Sequence, residues 1–69
     1  MNQELALSIG AKIRETRKNK SISQEQLALS TTIDRSYLGR IERGEVSITV
    51  EKLYQISQTL NVDPKILLP

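Results

Sequence analysis

Two helix-start signals stand close together in the middle of the chain, and they constrain the fold more than any other feature. Ser23 and Gln26 match a capping box, in which the hydroxyl and the amide side chain each accept a hydrogen bond from the other residue's backbone N–H. Asp34 is a second good N-cap, and Gly44 is a good helix stop. The stretch predicts two short helices with a tight corner between them.

Helical patterns also extend over the rest of the chain. Leu5, Ile9 and Ile13 recur at four-residue spacing, as on one face of an amphipathic helix. Thr49 and Asp63 are further N-cap candidates, and there is no strand pattern. The sequence predicts an all-α fold, with residues 1–69 forming one compact domain. Its five predicted helices span residues 3–19, 24–30, 35–43, 50–60 and a short segment that begins at Pro64.

The residue types that the chain lacks exclude several functions. It has no cysteine and no histidine, which removes disulfides, thiolate metal sites and the commonest general base. We therefore expect no catalytic residues, no metal and no cofactor, and an enzyme is the weakest interpretation. No apolar run approaches the roughly 20 residues of a membrane span. We expect a cytoplasmic protein with no membrane partner and, lacking a sensor domain, no small-molecule ligand.

Positive charge is concentrated in one segment. Residues 12–20 contain five cationic side chains and one anionic side chain, whereas the net charge of the whole chain is only +2. A basic segment beside an arginine-bearing helix is typical of a phosphate-binding face. A solvated helix surface is the alternative interpretation.

The third predicted helix separates apolar from cationic side chains. Each residue turns an α-helix by about 100°, so Leu38 and Ile41 lie nearly opposite a cationic edge. That edge consists of Arg35, Ser36, Gly39, Arg40 and Arg43. In a DNA major groove, arginine can form paired hydrogen bonds to guanine. An ordinary surface helix is the alternative, but Gly39 argues against it, because a glycine within a helix costs about 1 kcal/mol relative to alanine. Its missing side chain favours close approach of another surface.

A buried ion pair is predicted between the first and third helices. Arg17 follows Ile9 and Ile13 at four-residue spacing, which places its charge on or beside the buried stripe. A charge in that position needs a partner. Glu42, next to Ile41, is the acidic residue best placed to face inward, and the pattern predicts an Arg17–Glu42 pair.

Three runs of the sequence carry a family resemblance. SQEQLA (residues 23–28), IDRSYLGRIERG (33–44) and VEKLYQISQTLNVDPKILL (50–68) resemble the lambda-repressor/Cro-like helix-turn-helix family of bacterial and phage regulators. The run DRSYLGRIERG is most similar to small regulators that include restriction–modification controller proteins. The resemblance implies a five-helix lambda-repressor-like domain with its helix-turn-helix at helices two and three.

The resemblance also implies contacts with double-stranded DNA, position by position. The expected base contacts are Arg35, Ser36, Tyr37, Gly39 and Arg40. The expected phosphate contacts are Arg14, Arg17, Ser23, Gln24, Arg43 and Ser47. The family's internal arginine–glutamate pair matches Arg17 and Glu42.

Four positions depart from the family pattern. Thr32 stands at the corner where glycine is usual, and a β-branched residue disfavours positive φ, so we expect strain or a different shape there. Ser21 replaces a glycine that usually ends the first helix, and Thr16 replaces a leucine of the core. Gly39 replaces a polar side chain, so one base contact is expected to be absent.

The C-terminal residues provide the expected dimer interface. Ile66, Leu67 and Leu68 follow one another on a very short helix and cannot all face one core. With Pro64, they match family positions near the dimer contact, although they could instead cap the core of the monomer. The resemblance implies a homodimer that regulates transcription from a near-palindromic operator, with half-sites about one DNA turn apart. The alternative is a protein-interaction module of the same fold, similar to an antitoxin or an anti-repressor.

Overall fold

Four α-helices and one short 3₁₀ helix make up the regular structure. The computed structural model describes residues 2–69, and no strand occurs within them. The elements are α1 (Gln3–Asn19), α2 (Gln24–Thr31), α3 (Arg35–Glu42), α4 (Val50–Leu60) and the 3₁₀ helix Pro64–Leu67. The predicted all-α class is confirmed, but the prediction of a fifth α-helix is wrong. Pro64–Leu67 form a 3₁₀ helix instead, with i→i+3 bonds such as Ile66 N to Asp63 O, which is typical of short terminal pieces.

Each α-helix begins at a polar side chain that accepts a backbone hydrogen bond. The predicted capping box is present, because Gln26 N donates to Ser23 Oγ and Ser23 N donates to Gln26 Oε1. Asp34 and Thr49 cap α3 and α4 as the sequence predicts. These caps satisfy N–H groups that have no acceptor inside a helix, and they set where α2 and α3 start.

Four residues with left-handed backbone connect the helices. Ser21, Thr32 and Asn61 have φ values of 57°, 56° and 57°, and Gly44 has a φ of 73°. Glycine adopts this conformation readily and asparagine tolerates it, whereas a β-branched residue does so at a cost. The strain expected at the corner of the helix-turn-helix is therefore located at Thr32.

One hydrophobic core lies between the helices. The α1 helix packs against α3, α4 and the 3₁₀ helix, and α2 packs against α3 and α4. The core comprises Ile9, Ile13, Leu27, Ala28, Ile33, Leu38, Ile41, Ile48, Leu53, Ile56, Leu60 and Leu67. Within residues 2–69, no helix combines the length and apolar character that crossing a membrane requires.

A glycine sets how closely α1 approaches α3. A Cβ atom added to Gly10 would overlap the carbonyl oxygen of Ile41 and would stand 2.7 Å from the carbonyl oxygen of Glu42. Both contacts are with backbone, which cannot swing aside as a flexible side chain can. The C-terminal turn of α3 therefore rests directly on the α1 backbone, and the absence of a side chain at position 10 fixes the position of α3.

Candidate nucleic-acid interface

The α3 helix is anchored by its apolar edge and presents its cationic edge to solvent. Leu38 is fully buried and Ile41 is 2% exposed. The side chains of Arg35, Ser36 and Arg40 are exposed. The outward edge thus has the orientation that the rotation of the helix predicts for these residues.

A buried polar network joins α1, α2 and α3. Arg17 Nε and Nη2 donate to Glu42 Oε2 and Oε1, each at 2.9 Å, so the predicted ion pair is present and bidentate. Arg17 Nη1 donates to the Ile22 carbonyl at 3.0 Å. Gln24 Nε2 donates to Glu42 Oε1 at 3.2 Å, which ties the start of α2 to the same carboxylate. Arg17 is buried and each of its nitrogens donates to an acceptor within the protein, which favours a structural role, and its expected contact with phosphate stays a prediction.

Gly39 differs from its expected exposure. It is buried, because the side chains of Gln24 and Arg43 lie over it. A Cβ at position 39 would stand 3.1 Å from Arg43 Nη1 and 3.6 Å from Gln24 Oε1. The expected contact of Gly39 with a base stays a prediction, and it would require these two side chains to move. The missing side chain makes room for two neighbouring polar side chains of the protein itself.

Two adjoining grooves bring most of the expected contact residues together. One groove, of about 280 Å³, lies along the outward edge of α3 and is lined by Gln24, Arg35, Ser36, Gly39, Arg40 and Arg43. The other, of about 270 Å³, is lined by Arg14, Arg17, Gln24, Gly39, Glu42 and Arg43. Since both include Gln24 and Arg43, the two grooves form one continuous polar surface. The expected base contacts and phosphate contacts meet along it.

Three other expected contacts make hydrogen bonds within the protein. Ser23 Oγ caps α2. Tyr37 is half-buried, its hydroxyl donates to the Ser47 carbonyl at 3.3 Å, and Lys52 Nζ lies 5.4 Å from the centre of its ring. The side chain of Ser47 is exposed. Tyr37 therefore connects α3 to the loop that follows it, and only part of its ring is open to a ligand.

Glu45 is a component of the surface that the sequence analysis missed. Its Oε2 accepts a hydrogen bond from Arg43 Nε, and its Oε1 lies 3.8 Å from Arg40 Nε. The bond from Arg43 lowers the pKa of the Glu45 carboxyl, and the charges of Arg43 and Arg40 act in the same direction. The same bond raises the pKa of Arg43. Gly44 could have indicated this position of Glu45, because a glycine with left-handed backbone at the end of a helix places the next residue against the last helical turn.

Comparison with known proteins places the chain in a family. The family model HTH_3, described as helix-turn-helix, matches residues 13–67. The chain belongs to this helix-turn-helix family. It is 39% identical over 69 residues to the control protein C.BamHI of Bacillus amyloliquefaciens, covering 99% of this chain and 85% of the relative. It is 38% identical over 56 residues to the control protein C.SmaI of Serratia marcescens, covering 80% and 67% of the two chains.

A solved structure supports the same assignment. The restriction-modification controller protein C.AhdI of Aeromonas hydrophila superposes with a TM-score of 0.88 at 33% identity, over 91% of this chain and 96% of that chain. In this helix-turn-helix chain, α2 and α3 are therefore the paired helices of the motif. The network of Arg17, Glu42 and Gln24 holds the two against α1.

The C-terminal end of the helix-turn-helix domain is a second candidate surface. Ile66 is 54% exposed and Leu68 is 39% exposed, while Pro64 is half-buried. Leu67 is fully buried in the core, so the expectation that it lies in a dimer interface is wrong: a 3₁₀ helix directs this one of the three consecutive residues inward. Exposed Val50 and Tyr54 on α4 were not predicted. Their spacing of four residues puts them on one side of that helix.

Proposed function

We propose that the protein is a sequence-specific regulator of transcription that inserts α3 into the major groove of double-stranded DNA. The orientation of α3 carries this proposal: Leu38 and Ile41 hold the helix to the core, and Arg35 and Arg40 are free to reach base edges. Arginine reads guanine through paired hydrogen bonds, and Ser36 can donate to or accept from a base.

Phosphate contacts would fix the depth and direction of α3 in the groove. Gln24 is held at the start of α2 by Glu42, next to backbone N–H groups that have no acceptor inside the helix. Arg14 and Arg43 border the same polar surface. Ser23 and Ser47 remain candidate phosphate contacts at its edges. Contacts of this kind position a protein on DNA without reading its sequence.

Two copies of the chain would bind a near-palindromic operator. A single module of this size offers few base-reading side chains, and Ile66 and Leu68 provide exposed apolar area outside α3. Exposed Val50 and Tyr54 would extend this interface along α4. Half-sites would then lie about 34–36 Å apart, one turn of DNA.

The descriptions of three relatives support a controller-like role, and we propose that it is carried out in the cytoplasm. C.BamHI and C.SmaI are described as control proteins, and C.AhdI as a restriction-modification controller. We infer that residues 1–69 act as one DNA-binding domain whose occupancy of a promoter follows its own concentration. Dimerisation would make that occupancy depend steeply on the amount of protein.

Selection from a random pool of duplexes tests the proposal. We expect a near-palindromic consensus with two half-sites about 10 base pairs apart. The variant Arg40→Ala should lose preference at one position in each half-site, whereas Arg43→Ala should weaken binding without altering the consensus. Recovery of no consensus at low salt would refute the regulator function and would favour a protein-interaction module of the same fold.

A further inference from the structure

Glu45 occupies a defined position at the end of α3. Gly44 N donates to the Ile41 carbonyl at 3.0 Å, and Glu45 N donates to the Arg40 carbonyl at 2.9 Å. Together with the positive φ of Gly44, these two bonds form a Schellman motif. In that motif the side chains of the first and last residues often make an apolar contact; here they are Arg40 and Glu45, and they make an ionic one.

The Glu45 carboxylate lies next to the Nε atoms of two arginines, Arg40 and Arg43. One carboxylate oxygen accepts from Arg43 Nε and the other faces Arg40 Nε at 3.8 Å. No hydrogen bond within residues 2–69 engages the Nη groups of either arginine, and Arg43 Nη1 lies over Gly39 in the polar groove. The carboxylate therefore bonds to the Nε edge of the Arg43 guanidinium and lies beside the Nε edge of Arg40, and no hydrogen bond within residues 2–69 occupies the Nη edge of either.

We propose that Glu45 is a positioning residue for DNA recognition, which directs the Nη groups of Arg40 toward base edges in the major groove and those of Arg43 toward phosphate. This inference rests on the proposed function. An arginine side chain has several rotatable bonds, and a guanidinium that is already oriented loses less conformational freedom when it binds. A paired contact to guanine requires a fixed direction of the planar guanidinium, so the benefit is larger on the preferred sequence than on other DNA.

The negative charge of Glu45 has a second effect on DNA binding, opposite to the benefit of orienting the arginines. A carboxylate beside DNA phosphates weakens binding to every sequence, and its removal strengthens nonspecific binding. Loss of Glu45 should therefore strengthen binding to arbitrary DNA while it weakens discrimination. Loss of another exposed carboxylate that contacts neither Arg40 nor Arg43 should produce the electrostatic effect alone. Glu51, in the first turn of α4, is that matched control.

The test measures affinity of the full chain for two duplexes at one salt concentration. One duplex carries the consensus recovered from the random pool, and the other is a scrambled sequence of the same composition. We expect Glu45→Ala to reduce the ratio of the two affinities about five- to tenfold, the lower part of what a paired arginine–base contact contributes. We expect Glu51→Ala to change the ratio by less than about twofold, since charge alone affects both duplexes.

Two further variants separate positioning from other roles. Glu45→Gln keeps one acceptor oxygen for an arginine Nε and should retain an intermediate ratio. In an Arg40→Ala/Arg43→Ala background, Glu45→Ala should no longer change the ratio. In the free protein, nuclear magnetic resonance relaxation should show greater mobility of the Nε–H bonds of both arginines in Glu45→Ala, with an unchanged melting temperature.

Several outcomes would overturn the inference. Equal ratios for Glu45→Ala and Glu51→Ala would show that Glu45 does not orient the arginines. Tighter binding of Glu45→Ala than of Glu51→Ala to both duplexes, with the ratio of the two affinities unchanged, would show that the carboxylate only repels phosphate. Both results leave the proposed function standing. Failure of the unaltered protein to distinguish the two duplexes would remove the proposed function and this inference together.

Discussion

Two arginine–glutamate clusters lie at the C-terminal end of α3, and they differ mainly in burial. In the buried cluster, Arg17 and Glu42 form a bidentate pair whose side chains are 9% and 3% exposed. In the exposed cluster, Glu45 contacts Arg40 and Arg43, and all three side chains are about half exposed. The same chemical groups therefore meet in two very different dielectric environments.

Burial separates the structural role of one cluster from the ligand-facing role of the other. A buried charge cannot be left without its partner, so the inner cluster fixes α1, α2 and α3 to one another. An exposed pair is screened by water and salt and contributes little to stability. Its arginines can exchange a carboxylate for another anion. The inner cluster thus holds the helix, and the outer cluster lies at the surface that we propose contacts DNA.

Removing the negative charge of the buried cluster should lower the stability of the fold more than any other change proposed here. Glu42→Gln keeps the shape of the side chain but leaves Arg17 buried without a counter-charge. We expect a loss of about 3–5 kcal/mol in the free energy of unfolding, measured by urea denaturation. Glu45→Gln is the matched control and should leave the transition midpoint nearly unchanged. Equal losses in the two variants would contradict the contrast between the clusters.

The next effect concerns DNA binding by the exposed edge of α3. Arg40→Ala should cost about 1–3 kcal/mol on the preferred duplex and relax preference at one base position, because a paired base contact is lost. Arg43→Ala should weaken binding to all sequences and reduce the salt slope of log K by about 1. Titrations at several salt concentrations distinguish the two. Uniform weakening by Arg40→Ala would mean that Arg40 contacts phosphate instead.

A smaller effect is expected at the boundary between the clusters. Gly39→Ala should increase the free energy of unfolding by up to about 1 kcal/mol, because alanine favours a helix. It should also weaken DNA binding, since the new Cβ stands 3.1 Å from Arg43 Nη1 and displaces that group. Thermal melts and DNA titrations of one preparation measure both. Ser30→Ala, at an exposed position of α2, should leave DNA binding unchanged; if it weakens binding equally, displacement of Arg43 is not the cause.

The weakest predicted effect is on the pKa of the Glu45 carboxyl. The bond from Arg43 lowers the pKa of the Glu45 carboxyl, so the pair stabilises the fold slightly above the pKa of an unfolded-chain glutamate. That contribution is lost as the pH falls through the lower pKa of the folded state. Carbonyl chemical shifts should show a Glu45 midpoint below the usual glutamate value. In Arg43→Gln the midpoint should move upward, and an unmoved midpoint would contradict the assignment of Arg43 as the cause.

Much of the fold could be predicted because its determinants are local. Caps at Ser23, Asp34 and Thr49 need only a hydroxyl or carboxylate within three residues of a free N–H. The Arg17–Glu42 pair was also predictable, since helical rotation puts both on faces that already carry buried apolar residues. Only the last helix was assigned to the wrong type, because four residues do not distinguish an α-helix from a 3₁₀ helix.

The parts of the candidate site that were not predictable depend on neighbours distant in sequence. Helical rotation places Gly39 on the outward edge, but it cannot show that Gln24 of another helix lies across it. The sequence places the Arg17 charge beside the core, but it does not show that Arg17 also donates to the Ile22 carbonyl. Glu45 lies after the end of α3, so a projection of the helix does not include it. The left-handed turn at Gly44 brings the Glu45 side chain next to Arg40 and Arg43.

The contact at Gly10 has a consequence for how this molecule can vary. Since the C-terminal turn of α3 rests on the α1 backbone there, any larger residue would push α3 away from α1 and change its direction. A substitution at position 10 would therefore change which promoter the protein binds, although position 10 itself need not contact DNA. A saturation screen for gene control would then find intolerance at a site that faces the interior, beside the intolerance found at the arginines.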